Sequence, residues 1–520
     1  MLQIHPLSSL EKVFLDETPT AAPFTGCSCL QKEVVSFQVA FRSDTDTDVT
    51  AQAEGDCALF WVVNIPCALP CYEDSDTWYL RKTAGFFPDL LRPATAELHI
   101  KAGQWHSLWV SCQGSGNIKI LLNGQAVTVK ILRLDAVLPP QTLRCTNWFH
   151  CDCIAQAYRL SPWSEPYWTA LERYFHVYAA HGLNMLLTPL FTPPLDTEIG
   201  GERLTTQLVG VTKTDTKYGF DFSLLQRWVD LAQHCGIRYF ELSHLFTQWG
   251  ARSAPKILCN GKALFGWHTD AQSAEYTEFL TQFAAALNQF LEQRRITEQC
   301  YLHVSDEPGI ADIAVYARHA SLIRALFPKL KMIDALSDFP FYQEGLVERP
   351  IPAVNHIAPF IGNVPELWTY YCCGQHKDGV PNRFFAMPSY RNRILGVLLW
   401  KFRCAGFLQW GFNFWNNQYS KAAVDPYTCS DAGGAFPSGD AYVVYPAADG
   451  APLPSLRLKV FHEALQDMRA LQLLESKISY ASTLRLAEQG LACPLQFNEF
   501  PRNAQWILQL RERVNQALKE

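Results

Sequence analysis

The chain has 520 residues, 48% hydrophobic and 18% charged, with a formal net charge of -6. This composition is globular and too long for one typical domain, and the acidic balance excludes a nucleic-acid backbone as partner. No run of 18 or more uncharged apolar residues is present, so no membrane span is expected.

The N-terminus lacks a basic stretch leading into an apolar one, so no secretory signal is expected and the reading is a cytoplasmic protein. The 17 cysteines are scattered and read as reduced thiols. The close pairs Cys27/Cys29, Cys151/Cys153 and Cys372/Cys373 lack zinc-ligand spacing, and neither a metal nor a cofactor is expected.

Residues 1–155 carry short alternating runs at 34–41, 58–63, 96–100, 107–111 and 118–122. Asn123-Gly124 follows as a hairpin turn, with a return at 127–129. This pattern predicts an N-terminal β-sandwich domain. A capped amphipathic helix over 164–180 then opens a βα rhythm. Strands are predicted at 184–188, 206–211, 237–244, 301–304, 331–336, 353–357, 367–371 and 406–411. Helices fall between them, among others over 222–235, 271–294 and 389–402. The class is therefore α/β, with a (β/α)8 TIM-type barrel over 156–425. An open doubly wound sheet would need a Gly-rich phosphate loop after its first strand, and Thr188-Pro189-Leu190 offers none. The long excursion at 245–270 reads as a functional loop or lid. Residues 426–520 begin with a Gly/Ser/Asp-rich loop and continue into a strong helix over 456–474. They are read as a C-terminal helical extension packed on the barrel.

Strand four runs into Ser305, Asp306, Glu307 and Pro308. Adjacent carboxylates at the C-terminal end of a barrel strand lie on the face where such barrels do chemistry. Two acids in unlike surroundings can divide acid and base roles. The same residues also suit a plain helix cap, with Asp before the helix, Glu in its first turn and Pro at its start. The neighbouring strand ends decide for chemistry. They bring Glu241, His244 and Trp249, then His303, Asp338, Asn355 and His356, then Tyr370, Tyr371, Trp410, Asn413 and Trp415 to one mouth. Carboxylates, phenols, a carboxamide and indoles around one cup suit a sugar, whose hydroxyls take polar partners and whose ring faces take aromatics.

The stretch His303-Val-Ser-Asp-Glu-Pro308 resembles the Asp-Glu motif of glycoside hydrolase family 123, the retaining β-N-acetylgalactosaminidases. Residues 243–249, 368–372 and 406–413 resemble that family as well, and the likeness spans nearly the whole chain. It implies substrate-assisted catalysis, in which the 2-acetamido oxygen of the sugar attacks its own anomeric carbon and gives an oxazolinium ion. Carried over by position, Asp306 orients the acetamido nitrogen and stabilises the developing positive charge; if hydrogen-bonded, it stays ionised. Glu307 protonates the leaving oxygen and then deprotonates water, which requires a dry, aromatic-walled pocket. Tyr371 is the candidate donor to the acetamido oxygen, and His244, Trp249, His303, Trp410, Asn413 and Trp415 are the expected substrate contacts. The expected partner is an oligosaccharide or glycoconjugate; a homo-oligomer is compatible with the sequence. Two alternatives stay open. One is a two-carboxylate glycosidase pairing Glu307 with Glu241 or Asp338; the other is a glycan-binding protein on a hydrolase fold.

Overall fold

The computed structural model describes residues 2–248 and 250–519. Trp249, one of the expected substrate contacts, lies outside the described residues.

The N-terminal strands form two sheets that share one apolar core. The first runs in the order Gln3–Ser8, Val35–Arg42, His106–Cys112, Cys57–Cys67, Gly85–Pro93. The second runs Gly26–Gln31, Gln125–Val137, Gly116–Leu122, Ala51–Glu54. Period-2 alternation sends Phe37, Val39, Phe41, Leu108 and Val110 of one sheet against Ile118, Ile120, Val129 and Ile131 of the other. The Asn123-Gly124 turn forms as predicted, with both residues at positive φ, 46° and 79°, and Leu122 opposite Gln125. The expectation that every cysteine is a free thiol fails at one place. Cys57 and Cys112 stand opposite each other on neighbouring antiparallel strands, with their Cα atoms 4.3 Å apart, and are joined as a disulfide.

The rest of the chain centres on two wholly parallel sheets. One has five strands, in the order Met185–Thr188, Tyr239–Leu242, Cys300–Leu302, Lys331–Ala335, Arg349–Ile351; the other has three, Arg144–Asn147, Gly406–Gln409, Trp368–Tyr370. At one seam between them Ala353 and Tyr370 form a parallel bridge. At the other, Asn184 N donates to Cys145 O at 3.1 Å and Cys145 N donates to Asn184 Oδ1 at 2.9 Å. Alternate residues point into one shared interior of Met185, Leu187, Tyr301, Ile333, Ile351, Trp368 and Leu408. Their neighbours Leu186, Phe240, Leu302, Met332 and Phe407 belong to the core beneath the helices. Gly406 is required here, because a Cβ on it would lie 2.0 Å from the Trp368 ring.

Two strand expectations need correction. The strand expected at 206–211 is instead the arm Gly210–Thr214 of an antiparallel hairpin with Lys217–Asp221. Its exposed Thr212 and Thr214 suit a two-stranded ribbon, whereas a parallel strand is covered on both faces. In its stead Arg144–Asn147, grouped in the sequence with the N-terminal strands, pairs in parallel with Gly406–Gln409. The strand expected at 353–357 lies slightly earlier, at Arg349–Ile351.

The helix Leu456–Ile478, expected within the C-terminal extension, is largely buried. It lies on helix Ser389–Lys401 so closely that a Cβ on Gly396 would sit 1.8 Å from Ala464 O. Its buried acids also knit distant segments together. Arg393 reaches Glu463 at 2.8 Å and Asp467 at 2.7 Å. Arg511, from the last helix, bridges Asp467 at 3.1 Å and Glu33 of the N-terminal half at 2.7 Å. Arg457 grips Asp89 through two nitrogens, at 2.7 and 2.9 Å. Gly396→Ala is expected to lower stability by about 1–3 kcal/mol through overpacking, read as a shift in the urea midpoint at unchanged slope. An unshifted midpoint would show that the two helices part freely.

Candidate active site

Asp306 and Glu307 follow strand Cys300–Leu302, and no helix starts on them. The next helical turn is Ile310–Asp312, and it is Asp338 Oδ2 that accepts its first N–H, from Ile310 at 2.9 Å. The capping explanation for the acid pair is thereby removed. Glu307 adopts φ 45°, a left-handed conformation uncommon for a residue with a Cβ, and its N–H is tied to Ala335 O at 3.0 Å. Such strained positions cluster at functional sites.

Both acids open onto one pocket of about 190 Å³. Trp148, Leu408, Trp410 and Phe436 supply its apolar wall, and Asp196, Gln248, Tyr370, Cys372, Cys373 and Tyr419 much of the rest. Tyr370 Oη donates to Glu307 Oε1 at 2.6 Å. Burial and the Glu307 charge push the Tyr370 phenol well above its ordinary range, so it stays a donor. Trp410 is fixed by donating its Nε1 to Asp440 Oδ2 at 2.9 Å; burial pushes Asp440 up to about 6 against that bond. Asp196 is pushed up to about 6 by burial, with Arg203 opposing.

Below the pocket lies a wholly buried network of one imidazole between two carboxylates. His303 Nε2 is 2.5 Å from Glu241 Oε1, and its Nδ1 is 3.2 Å from Asp334 Oδ1. Glu241 also accepts Trp148 Nε1 at 2.7 Å and Thr146 Oγ1 at 2.7 Å, so it orients the tryptophan of the pocket floor. Asp334 accepts Val304 N at 3.0 Å, Ser305 N at 3.3 Å and the Tyr316 hydroxyl. Burial alone would lower the His303 pKa, but the two carboxylates win and raise it to about 10. The two carboxylates thus favour the imidazolium form, while burial pushes Asp334 itself upward.

The expected site residues fall in different places. Asp306 was expected to stay ionised if hydrogen-bonded. Burial first, and then the Glu307 charge, push its carboxyl well above the usual range; Asp334 and Glu241 add to this and only His303 opposes. Among the described residues no hydrogen-bond donor reaches Asp306 to hold the charged form. Tyr371 points the other way along its strand, fully buried with its ring on Phe407 at 5.0 Å; its neighbour Tyr370 occupies the mouth. Asn413 spends its amide on His150, accepting from its N at 2.9 Å and donating to its O at 3.0 Å. Trp415 is core, with Nε1 on Val444 O at 3.2 Å. His244 and His303 are buried under the floor, stacked with centroids 4.3 Å apart. Of the expected substrate contacts that are described, Trp410 alone lines the pocket. Glu241, offered as an alternative partner for Glu307, is fully buried and carries three hydrogen bonds, so it is no nucleophile. The loop residues Asp196, Gln248 and Tyr419 were missed, because no periodicity marks a loop that folds over a strand end.

Residues 148–474, well over half of the chain, match the model of the glycoside hydrolase 123 catalytic domain. The chain belongs to glycoside hydrolase family 123. As a family 123 member it is a glycoside hydrolase, and its substrates are glycans. Its fold matches that of a family 123 glycoside hydrolase from Clostridium perfringens, described for glycolipid glycan hydrolysis. The TM-score is 0.76 over 99% of this chain and 97% of that one, at 14% identity. A family 2 glycosyl hydrolase from Bacteroides cellulosilyticus DSM 14838 is far looser, with TM-score 0.27, 10% identity and coverage of 78% and 46%. A family 5 mannosidase from Rhizomucor miehei has TM-score 0.32, 11% identity and coverage of 64% and 94%. No curated protein matches the family 123 chain. No helix among the described residues is long and apolar enough to cross a membrane.

Proposed function

We propose that the enzyme removes a terminal β-linked N-acetylhexosamine, N-acetylgalactosamine in the first instance, with retention and by substrate assistance. The observation that carries this reading is that Asp306 and Glu307 open from consecutive positions onto one pocket. Its volume is below the roughly 300–1,000 Å³ of pockets for larger ligands, which suits a single sugar ring. The same reading takes the two parallel sheets as arcs of one (β/α)8 barrel, supported by the hydrogen bonds at both seams. The pair then stands at the C-terminal face of that barrel.

The substrate's acetamido N–H donates to Asp306. A donor on the carboxylate favours its charged form, and the anion then stabilises the positive charge that develops as the acetamido oxygen attacks C1. Glu307, held by Tyr370, protonates the glycosidic oxygen as the C1–O bond breaks. It next takes a proton from the water that opens the oxazolinium ring, returning the sugar with its configuration retained. Trp148 and Trp410 cover the ring faces.

A thiazoline mimic of the oxazolinium is expected to inhibit competitively and to bind at least about 10²-fold more tightly than the substrate, as transition-state analogues do. An aryl β-galactoside lacking the acetamido group is expected to be untouched. Equal turnover of both sugars, with no thiazoline inhibition, would defeat substrate assistance.

A further inference from the structure

Away from the pocket, the seam between helices Glu165–Ala180 and Ser223–His234 carries a cluster that glycoside cleavage does not use. Glu172 and His176 are four residues apart, so they stand one turn apart on the same helix face. His234, the last residue of the neighbouring helix, comes to meet them. The rings of His176 and His234 have centroids 6.2 Å apart at 71°. One carboxylate oxygen of Glu172 and one nitrogen from each histidine lie within 4.8 Å of one another. Both histidines are exposed and Glu172 is half-buried. Among the described residues no ion pair or hydrogen bond engages any of the three side chains.

The rest of this seam is already fastened. Near its start Arg227 holds Glu165 through two nitrogens, both at 2.6 Å, and lies 4.6 Å over the Trp168 ring. At the far end the corresponding fastening is three ligand atoms of one carboxylate and two imidazoles. That set suits a borderline dication such as zinc, which takes His₂Glu with water in the fourth place. Hard cations such as calcium and magnesium prefer all-oxygen sites. Ligands about 2.1 Å from a tetrahedral ion stand roughly 3.4 Å apart. No pair therefore has to close by more than about 1.4 Å, a movement open to exposed side chains.

We propose that Glu172, His176 and His234 form a surface site for a transition-metal dication, zinc in the first instance, that clasps the end of helix Ser223–His234 to the middle of helix Glu165–Ala180. The other convergent set, His244, His303 and Asp334, does not compete, because His303 is already committed to Glu241 and Asp334.

The test is calorimetric titration of the metal-free full-length protein with zinc chloride, repeated with cobalt(II) followed by visible absorbance. One zinc per chain is expected, and saturating zinc should raise the melting temperature. H176A and H234A should each weaken binding by about tenfold or more, since even groups behind a metal ligand cost about 10–100-fold; E172Q should weaken it too. The cobalt spectrum should show d–d bands without the strong near-ultraviolet band of a thiolate complex. Hydrolysis by all three variants should stay at the wild-type rate. Unchanged affinity in an H176A/H234A double variant, a thiolate band, or no binding by the wild type would each overturn the site.

Discussion

Glu307→Gln is expected to lower kcat for an aryl N-acetyl-β-galactosaminide by about 10²–10⁴-fold, the usual contribution of a positioned general acid and base. Glutamine keeps the shape and can still accept from Tyr370, but it can neither give nor take the proton. KM should therefore change little beside kcat. Asp306→Asn should lose about 10²–10³-fold by removing the charge that faces the developing cation. That loss should appear only on sugars that carry the acetamido group. The two deficits are also expected to respond differently to the leaving group. A more acidic aglycone needs less protonation, so it should rescue bond cleavage in Glu307→Gln and leave the Asp306→Asn defect in place. A Glu307→Gln protein that keeps more than a tenth of wild-type turnover, while folded, would remove Glu307 from the chemistry.

His303→Gln is expected to be the most damaging substitution for stability, at about 3–5 kcal/mol, because it strips the cation from two buried carboxylates. The pH dependence gives the sharper test. The His303 pKa is raised from its ordinary 6.5 to about 10, so between those values the folded chain holds a proton that the unfolded chain has released. Stability from this group is complete below pH 6.5 and falls as the pH rises, at up to about 1.4 kcal/mol per pH unit until pH 10. Urea unfolding at pH 7, 8 and 9 should show that decline in the wild type and much less of it in His303→Gln. A flat wild-type profile would mean that the imidazole is neutral and the network held by ordinary hydrogen bonds.

Much of the fold is legible because buried parallel strands announce themselves as apolar runs. Residues 185–188 and 406–409 are such runs, and both were found. Arg144–Asn147 escaped because its side chains serve hydrogen bonds: Thr146 binds Glu241 and Asn147 receives Arg383. The acid pair was legible from its place at a strand end. The pocket wall was harder to read. In Tyr370-Tyr371 the two rings face opposite sides of one strand, and composition cannot say which faces in. Asn413 and Trp415 carry sugar-binding chemistry in their side chains but spend it on backbone groups. The upward push on the Asp306 carboxyl was not legible either, since it comes first from burial and then from the neighbouring Glu307 charge.

The Arg457–Asp89 and Arg511–Glu33 clasps make the two halves of the chain interdependent. A fragment trimmed to residues 148–474 would keep the acid pair and the pocket floor, yet it would strand Arg457 without its counter-charge and bare the face of Leu456–Ile478 that the amino-terminal strands conceal. The catalytic portion is thus expected to depend on the first 140 residues for its folding, whether or not they ever touch a sugar.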